Sequence, residues 1–359
     1  MNIGDTNLAQ QPLPPRVSII IPSRPEEGVT ATLAGIRNSS YPPERLEIWH
    51  AVGNQPSSQR NRCAAQAQGD LLYFLDSDAL LPPVGQAGRD ADPLTRMAQL
   101  FQAHPRAIVG GPSLTPPSDK YFQQGVGLVL GSRFGGGAVR ARYAQEGTTR
   151  TSDQHEIILC NMMMDRASFR QIQGFNEHLY PNEENDLICR MQSAGGEVIY
   201  VPAAGIYRSQ RSSLRKFMKQ IYTYGRGRAA QTLLSPRSFS LMVLPAVLCT
   251  LYWILLAPFY LWLWPSLAAH LSVPDKLQLL LPLAPGLFYV ALNLCFSAFE
   301  SLRAGRPRQM MLLPLLFFLN HFLYGAGFLT GLGLRRRGFH DPGAAACTVR
   351  LVKPFGMGW

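Results

Sequence analysis

Three stretches free of Asp, Glu, Lys and Arg crowd the last two fifths of this 359-residue chain: Ser238–Ala269, Leu277–Phe299 and Gln309–Leu334, of 32, 23 and 26 residues. At about 1.5 Å per residue, about 20 residues cross a hydrocarbon core of about 30 Å, so each stretch is long enough to span a bilayer. The charge divides at the same place. Through Tyr207 there are 17 Lys/Arg and 20 Asp/Glu, a net of −3; from Arg208 onward 17 basic residues face three acidic ones, a net of +14. A soluble protein with a large core would scatter its charges more evenly, and a basic balance threaded between apolar spans is what the cytoplasmic face of a membrane protein requires. The overall +11 therefore argues for membrane lipid, not nucleic acid, as the partner of the basic residues.

Lys/Arg counts orient the spans. Arg215, Lys216, Lys219, Arg226, Arg228 and Arg237 precede the first; only Lys276 lies between the first and second; Arg303, Arg306 and Arg308 follow the second. The order is inside, outside, inside, with the N-terminal part cytoplasmic and the protein multi-pass in the inner membrane. Met1–Pro15 has neither a basic n-region nor an apolar h-region, so no signal peptide is expected. The third stretch breaks the pattern. If it spans, Arg335–Arg337 lie outside, and Asn320, His321 and four glycines (325, 327, 331, 333) suit close packing or a re-entrant helix. Two spans are expected, with the third stretch either spanning or re-entrant. The six cysteines are scattered, without metal-ligand spacing, and read as thiols of a reducing compartment.

Val17–Pro22 is a continuous apolar, β-branched run, as a buried parallel strand needs. A helix over Glu27–Asn38, a strand over Leu46–Val52, a helix capped by Ser57 and stopped at Gly69, and a strand over Leu71–Leu75 follow. This alternation specifies an α/β layer with a mostly parallel sheet. Later elements are strands at Ala107–Gly111, Ile157–Met164 and Glu197–Val201 and helices near Tyr121–Leu130 and over Glu183–Ser193, with long loops between Thr115 and Gln154. Ligands of such sheets bind beyond the carboxyl ends of strands, which is where Asp76-Ser77-Asp78 falls. Two carboxylates at i and i+2 can share a hard cation with a diphosphate, although Asp pairs also form turns. Glu177, Glu183, Glu184 and Asp186 form a second acidic cluster, which is either ordinary decoration of a helix N-terminus or the source of a general base. Arg60 and Arg62 stand one turn into a helix, within reach of a phosphate beside Asp76 or simply solvated.

The segments VSIIIPSRPEE, QRNRCAAQAQGDLLYFLDSDALLPP, GGP at 110–112, GFNE, NEENDLICRMQSAGG and RSSLRKFMKQIYTYGRGR together resemble the family 2 glycosyltransferases of GT-A fold. The likeness covers roughly Arg16–Arg228 and is closest to membrane-attached members that build exopolysaccharides of the succinoglycan type. It implies an α/β GT-A nucleotide-sugar-binding domain over 16–207; around it the chain reads as a flexible 1–15, a basic interfacial segment over 208–237, a transmembrane α-helical region over 238–334 and a basic tail over 335–359. It further implies that Asp78, with Asp76, ligates Mn²⁺ or Mg²⁺, and that Pro22, Ser23, Arg24, Glu26, Arg60 and Asp76 hold a nucleotide-diphosphate sugar of UDP type. Glu184 becomes the candidate base, with Glu183 and Asp186 as substitutes. Arg211, Arg215, Tyr224 and Arg226 face the acceptor, a saccharide or polyprenyl-linked molecule, or the membrane interface. The reaction implied is inverting sugar transfer in cell-surface or exopolysaccharide synthesis. A polyprenyl-phosphate sugar synthase and an inactive membrane adaptor are the rivals. Two departures stand out: Gly53-Asn54 replace the usual Asp after the second strand, and Glu184 replaces an Asp. The Q-x-x-R-W motif of processive synthases is absent, so a processive machine is not expected.

Overall fold

A computed structural model describes residues 13–82, 92–179, 181–234, 239–265, 269, 280–333 and 347–359. The central strands are the apolar runs of the sequence: β1 (Val17–Ser23), β2 (Leu46–Val52) and β3 (Leu71–Leu75), with β1 between the other two and parallel to both. Helices α1 (Thr30–Arg37) and α2 (Pro56–Gln66) make the crossovers. Helix α2 starts one residue before Ser57 because Pro56 fits the first helical position; Ser57 is not the cap. Two residues form β4 (Ala79–Leu80), and α3 (Pro93–Leu100) is capped by Asp92. Then come β5 (Ala107–Gly110), β6 (Ser113–Leu114), α4 (Tyr121–Gly131), β7 (Arg150–Thr151), β8 (Asn161–Asp165), α5 (Arg166–Gln171), α6 (Glu183–Ser193), β9 (Glu197–Tyr200) and β10 (Ile206–Arg208).

The main sheet runs β11-β2-β1-β3-β8-β5-β9-β7, where β11 is Thr348–Lys353. Five of these strands point one way; β7, β8 and β11 oppose them. The sheet is thus mostly parallel, as the strand–helix alternation requires, with β8 inserted antiparallel between β3 and β5. Alternate residues of β1 and β3 pack into two apolar layers, Ile19, Ile21, Tyr73 and Leu75 on one face and Ile20, Leu72 and Phe74 on the other. A second sheet, β4-β10-β6, pairs Arg208 with Ala79 and so lays the end of β10 beside the Asp76–Asp78 turn.

Among the described residues, four long helices follow β10. The basic segment forms α7 (Leu214–Leu234). After it come α8 (Leu244–Pro258, continued by a π turn over Phe259–Leu263), α9 (Ala284–Arg303) and α10 (Leu313–Gly333). Among the described residues, three helices are long and apolar enough to cross a membrane: Leu241–Trp262, Leu281–Arg303 and Leu313–Gly333. Helix α10 is continuous and lies along α7, where glycines permit backbone contact. A Cβ at Gly225 would stand 2.1 Å from the Tyr324 carbonyl, and one at Gly327 2.1 Å from that of Tyr222. Arg237, Lys276 and Arg335–Arg337 lie outside the described residues, as do residues 1–12 of the N-terminus. The segment expected as a basic tail is in part a sheet edge. Strand β11 pairs antiparallel with β2, and Lys353 Nζ donates to the carbonyls of Pro43 (2.5 Å) and Leu46 (3.1 Å).

Candidate active site

The carboxyl ends of β1, β2 and β3 and the first turn of α6 open on one cleft of about 320 Å³. Its floor is fixed by bonds to the backbone. Gln59 Nε2 donates to the carbonyls of Ser23 (2.9 Å) and Ala51 (2.6 Å), Gly53 N donates to Ser23 O (3.0 Å), and Ser23 Oγ meets His50 Nε2 at 2.8 Å. Pro22, Ser23 and Arg24 line this floor with Gly53 and Asn54. Glu27 accepts from Arg24 N and from Ser77 Oγ, both at 3.1 Å, tying the first strand's end to the Asp76–Asp78 turn. Glu26 is exposed and lies outside the cleft lining.

Carboxylates and guanidinium groups alternate across the cleft. Arg208 bonds Asp78 (2.7 Å) and Asp76 (3.2 Å); Arg60 bonds Asp76 (2.8 Å) and Glu183 (3.3 Å); Arg142 bonds Glu184 (3.0 Å) and the amide oxygen of Asn185 (2.5 Å). Burial alone would raise the Asp76 carboxyl, but Arg208 and Arg60 hold it below its ordinary value. Glu183 moves the other way. Its burial and the neighbouring Glu184 carboxylate outweigh Arg60 and push it up to about 8. A carboxyl raised this far keeps its proton at neutral pH.

One guanidinium reaches both Asp76 and Asp78, so a single cation can bridge this pair. No cluster of three or more metal-ligating side chains occurs among the described residues. Mg²⁺ and Mn²⁺ commonly take one or two carboxylates and complete their shell with phosphate and water, and the pair fits that demand.

Of the remaining sequence candidates, Glu183, Glu184, Arg211 and Tyr224 line the cleft and three others do not. Asp186 pairs with Arg190 (2.8 Å), which donates to the carbonyls of Gly174 (2.7 Å) and Ile172, bracing a turn on the outer side of α6. Arg215 is exposed in the first turn of α7, and the backbone of Arg226 faces Gly327 and Gly331 of α10. Three arginines of the cleft carry no pattern that marks them as site residues in the sequence. Arg208 arrives through the two-residue pairing of β4 with β10, which has no sequence signature. Arg142 comes from a 3₁₀ turn inside a stretch that reads as loop, and Arg228 is a buried member of what reads as a general basic run. Tyr324 of α10 also lines the cleft, so an apolar helix forms part of its wall.

Residues 71–292 match the family model described as glycosyl transferase family group 2. The structure is similar to that of a mannosyltransferase, PcManGT, from Pyrobaculum calidifontis, solved in complex with GDP-Man and Mn²⁺. The TM-score is 0.51 and the identity 16 %, over 90 % of this chain and 88 % of that one. No curated protein sequence matches the chain. The fold is GT-A-like, with three apolar helices at the C-terminal side.

Proposed function

The chain belongs to glycosyl transferase family group 2, and from that premise we propose an inverting, metal-dependent transfer of one sugar from a nucleotide-diphosphate donor to a hydroxyl of a lipid-linked saccharide. The observation that carries this reading is the continuity of the cleft. The Asp76 and Asp78 carboxylates, Glu184, Arg211, Tyr224 and, from an apolar helix, Tyr324 all line it. A donor's charged diphosphate suits the arginines and the carboxylate pair, and an acceptor whose lipid stays in the bilayer suits the wall to which Tyr324 belongs.

Asp78 and Asp76 would hold the divalent cation, which when bound offsets charge on the leaving diphosphate. Arg60 and Arg208 supply fixed positive charge beside the same leaving group. Glu184 accepts the proton of the acceptor hydroxyl as its oxygen bonds to the anomeric carbon. The bond from that carbon to the diphosphate breaks on the opposite face, and its electron pair leaves with the nucleotide, inverting the centre. The resemblance of the sequence points to a UDP-type donor and to cell-surface or exopolysaccharide synthesis; the structural neighbour was solved with GDP-Man.

The pairing of β11 with β2 supports a topology with an even number of crossings. Strand β11 pairs with β2 of the main sheet, which favours placing β11 on the same side of the membrane as that sheet. Two spans, α8 and α9, satisfy this, with α10 packed against α7 and α4 on the catalytic side. Residues 334–346, which join α10 to β11, are fewer than the about 20 that a helix needs to recross a bilayer.

A second reading has its own support: Arg211 and Arg228 line the cleft beside Tyr224, a setting suited to a phosphate acceptor, as in a polyprenyl-phosphate sugar synthase. A panel of nucleotide sugars, with lipid extract or polyprenyl phosphate as acceptor and released nucleotide diphosphate as readout, separates the two. The hydroxyl reading expects Glu184→Gln to keep donor binding and lose transfer. Transfer to simple polyprenyl phosphate that survives Glu184→Gln would overturn it in favour of the second.

A further inference from the structure

Asn320 and His321 are adjacent polar side chains of α10, and neither lines the cleft. Both are spent on one loop of the catalytic domain. Asn320 Nδ2 donates to the Gly135 carbonyl (2.9 Å), and His321 Nε2 meets the Phe134 carbonyl at 2.7 Å. A carbonyl can only accept, so Nε2 carries the ring proton and Nδ1 accepts from the Tyr289 hydroxyl of α9 (2.9 Å). The Phe134 ring lies between the helices, stacked on Phe296 (4.8 Å, 1° between planes) and edge-on to Phe317 (5.2 Å) and His321 (4.7 Å).

From this anchor the chain turns sharply into the active site. A Cβ at Gly135 would stand 2.3 Å from the Val129 carbonyl and one at Gly136 2.0 Å from that of Leu130, while Gly137 has φ +52°. Only glycine makes this reversal without strain. The 3₁₀ turn Gly137–Arg142 follows at once, and its last residue clamps Glu184 and Asn185. Arg142 also donates to the carbonyls of His155 (2.9 Å) and Gln154. The guanidinium that orients Glu184 thus lies two short turns along the chain from the Gly135 carbonyl held by α10, with no flexible spacer between them.

We propose that Asn320 and His321 are positioning residues for sugar transfer: by fixing the 134–137 turn they set Arg142, and through it Glu184, so that the apolar helices form part of the catalytic framework and not only an anchor. This rests on Glu184 as the base. A misplacement of about 1 Å far from the reacting atoms can cost about 10²-fold in rate, whereas donor binding is assigned to Asp76, Asp78 and Arg60, none of which bonds Arg142.

The test uses the full chain in detergent or nanodiscs, reading kcat for diphosphate release, KM for the donor, and nucleotide-diphosphate affinity by calorimetry. Asn320→Ala and His321→Leu should each lower kcat by about 10–100-fold and leave nucleotide affinity within about twofold. His321→Gln, which retains an N–H able to reach the Phe134 carbonyl, should restore most of the loss. Asn320→Ala combined with Arg142→Lys should cost less than the product of the single effects. If the first two variants are not recovered folded, Tyr289→Phe, which removes the bond to Nδ1, should lower kcat in the same direction. Unchanged kcat in folded variants, kcat and nucleotide affinity falling together, or independent effects in the double variant would each overturn the proposal. Glu184→Gln in parallel distinguishes the two failures. If it remains active the base assignment falls, and if it is dead while the α10 variants behave as wild type only the coupling falls.

Discussion

Replacing Glu183 with Gln should change how stability depends on pH. Glu183 is 4 % exposed, so solvent does little to screen it, and its carboxyl moves from the ordinary 4.5 to about 8. An acid whose pKa is raised on folding keeps its proton in the native state while the unfolded chain releases it. Stability is therefore greatest below about pH 4.5 and declines as pH rises toward about 8, above which both states are ionised and the loss is complete. A tenfold difference in proton affinity between the folded and unfolded chains is worth about 1.4 kcal/mol. The attraction of Arg60 at 3.3 Å is already contained in that shift, and the change across this window is on the order of a few kcal/mol. For a domain of this size about 1 kcal/mol moves the thermal midpoint by roughly 2–4 °C. Thermal unfolding of the purified protein from about pH 5 to about pH 8.5 should show the wild type losing roughly 5–15 °C more than Glu183→Gln, because Gln keeps an acceptor for Arg60 without a titrating proton. Parallel profiles for the two proteins, or a wild type gaining stability over this interval, would refute the reasoning.

Three other perturbations have stated outcomes. Arg142→Lys cannot span Glu184, Asn185 and two carbonyls with one ammonium. It should lose about 1–3 kcal/mol, read as a lower thermal midpoint, and a midpoint equal to wild type would show that the clamp is dispensable. Gly327→Val places a branched side chain against the Tyr222 carbonyl and should cost about 3 kcal/mol or more, while Gly333→Ala, with nothing within 4 Å, should be silent in the same assay. A reporter fused after Trp359 should be active on the same side as one fused before the catalytic domain; activity on the opposite side would contradict the even number of crossings.

Much of the fold is written in local pattern. Val17–Pro22 and Leu71–Leu75 are too apolar to be anything but buried strands, and both emerge fully buried in the sheet. Helix α6 begins and ends where its acidic first turn and the glycines after it place its limits. Long-range pairing is what the sequence conceals. Strand β8 starts at Asn161, not Ile157, because Asn161 is held by the Tyr73 hydroxyl (2.8 Å) and the Ala204 carbonyl (2.8 Å), partners 88 and 43 residues away. The same holds at the cleft. Asp76, Asp78, Arg60 and Glu184 stand out from their spacing, whereas Arg208 and Arg142 enter through a short strand pairing and a 3₁₀ turn that no periodicity marks. Strand β11 lies among basic residues that read as a tail, and only its pairing with β2 gives it a place.

Calorimetric titration of nucleotide diphosphate into the purified wild type and Asp78→Ala, each with Mn²⁺ and with EDTA, tests most directly whether this cleft is a metal-dependent nucleotide-sugar site. Binding to the wild type that requires Mn²⁺, and that Asp78→Ala loses while remaining folded, is the predicted result. Equal binding by both proteins, or wild-type binding indifferent to EDTA, would contradict it.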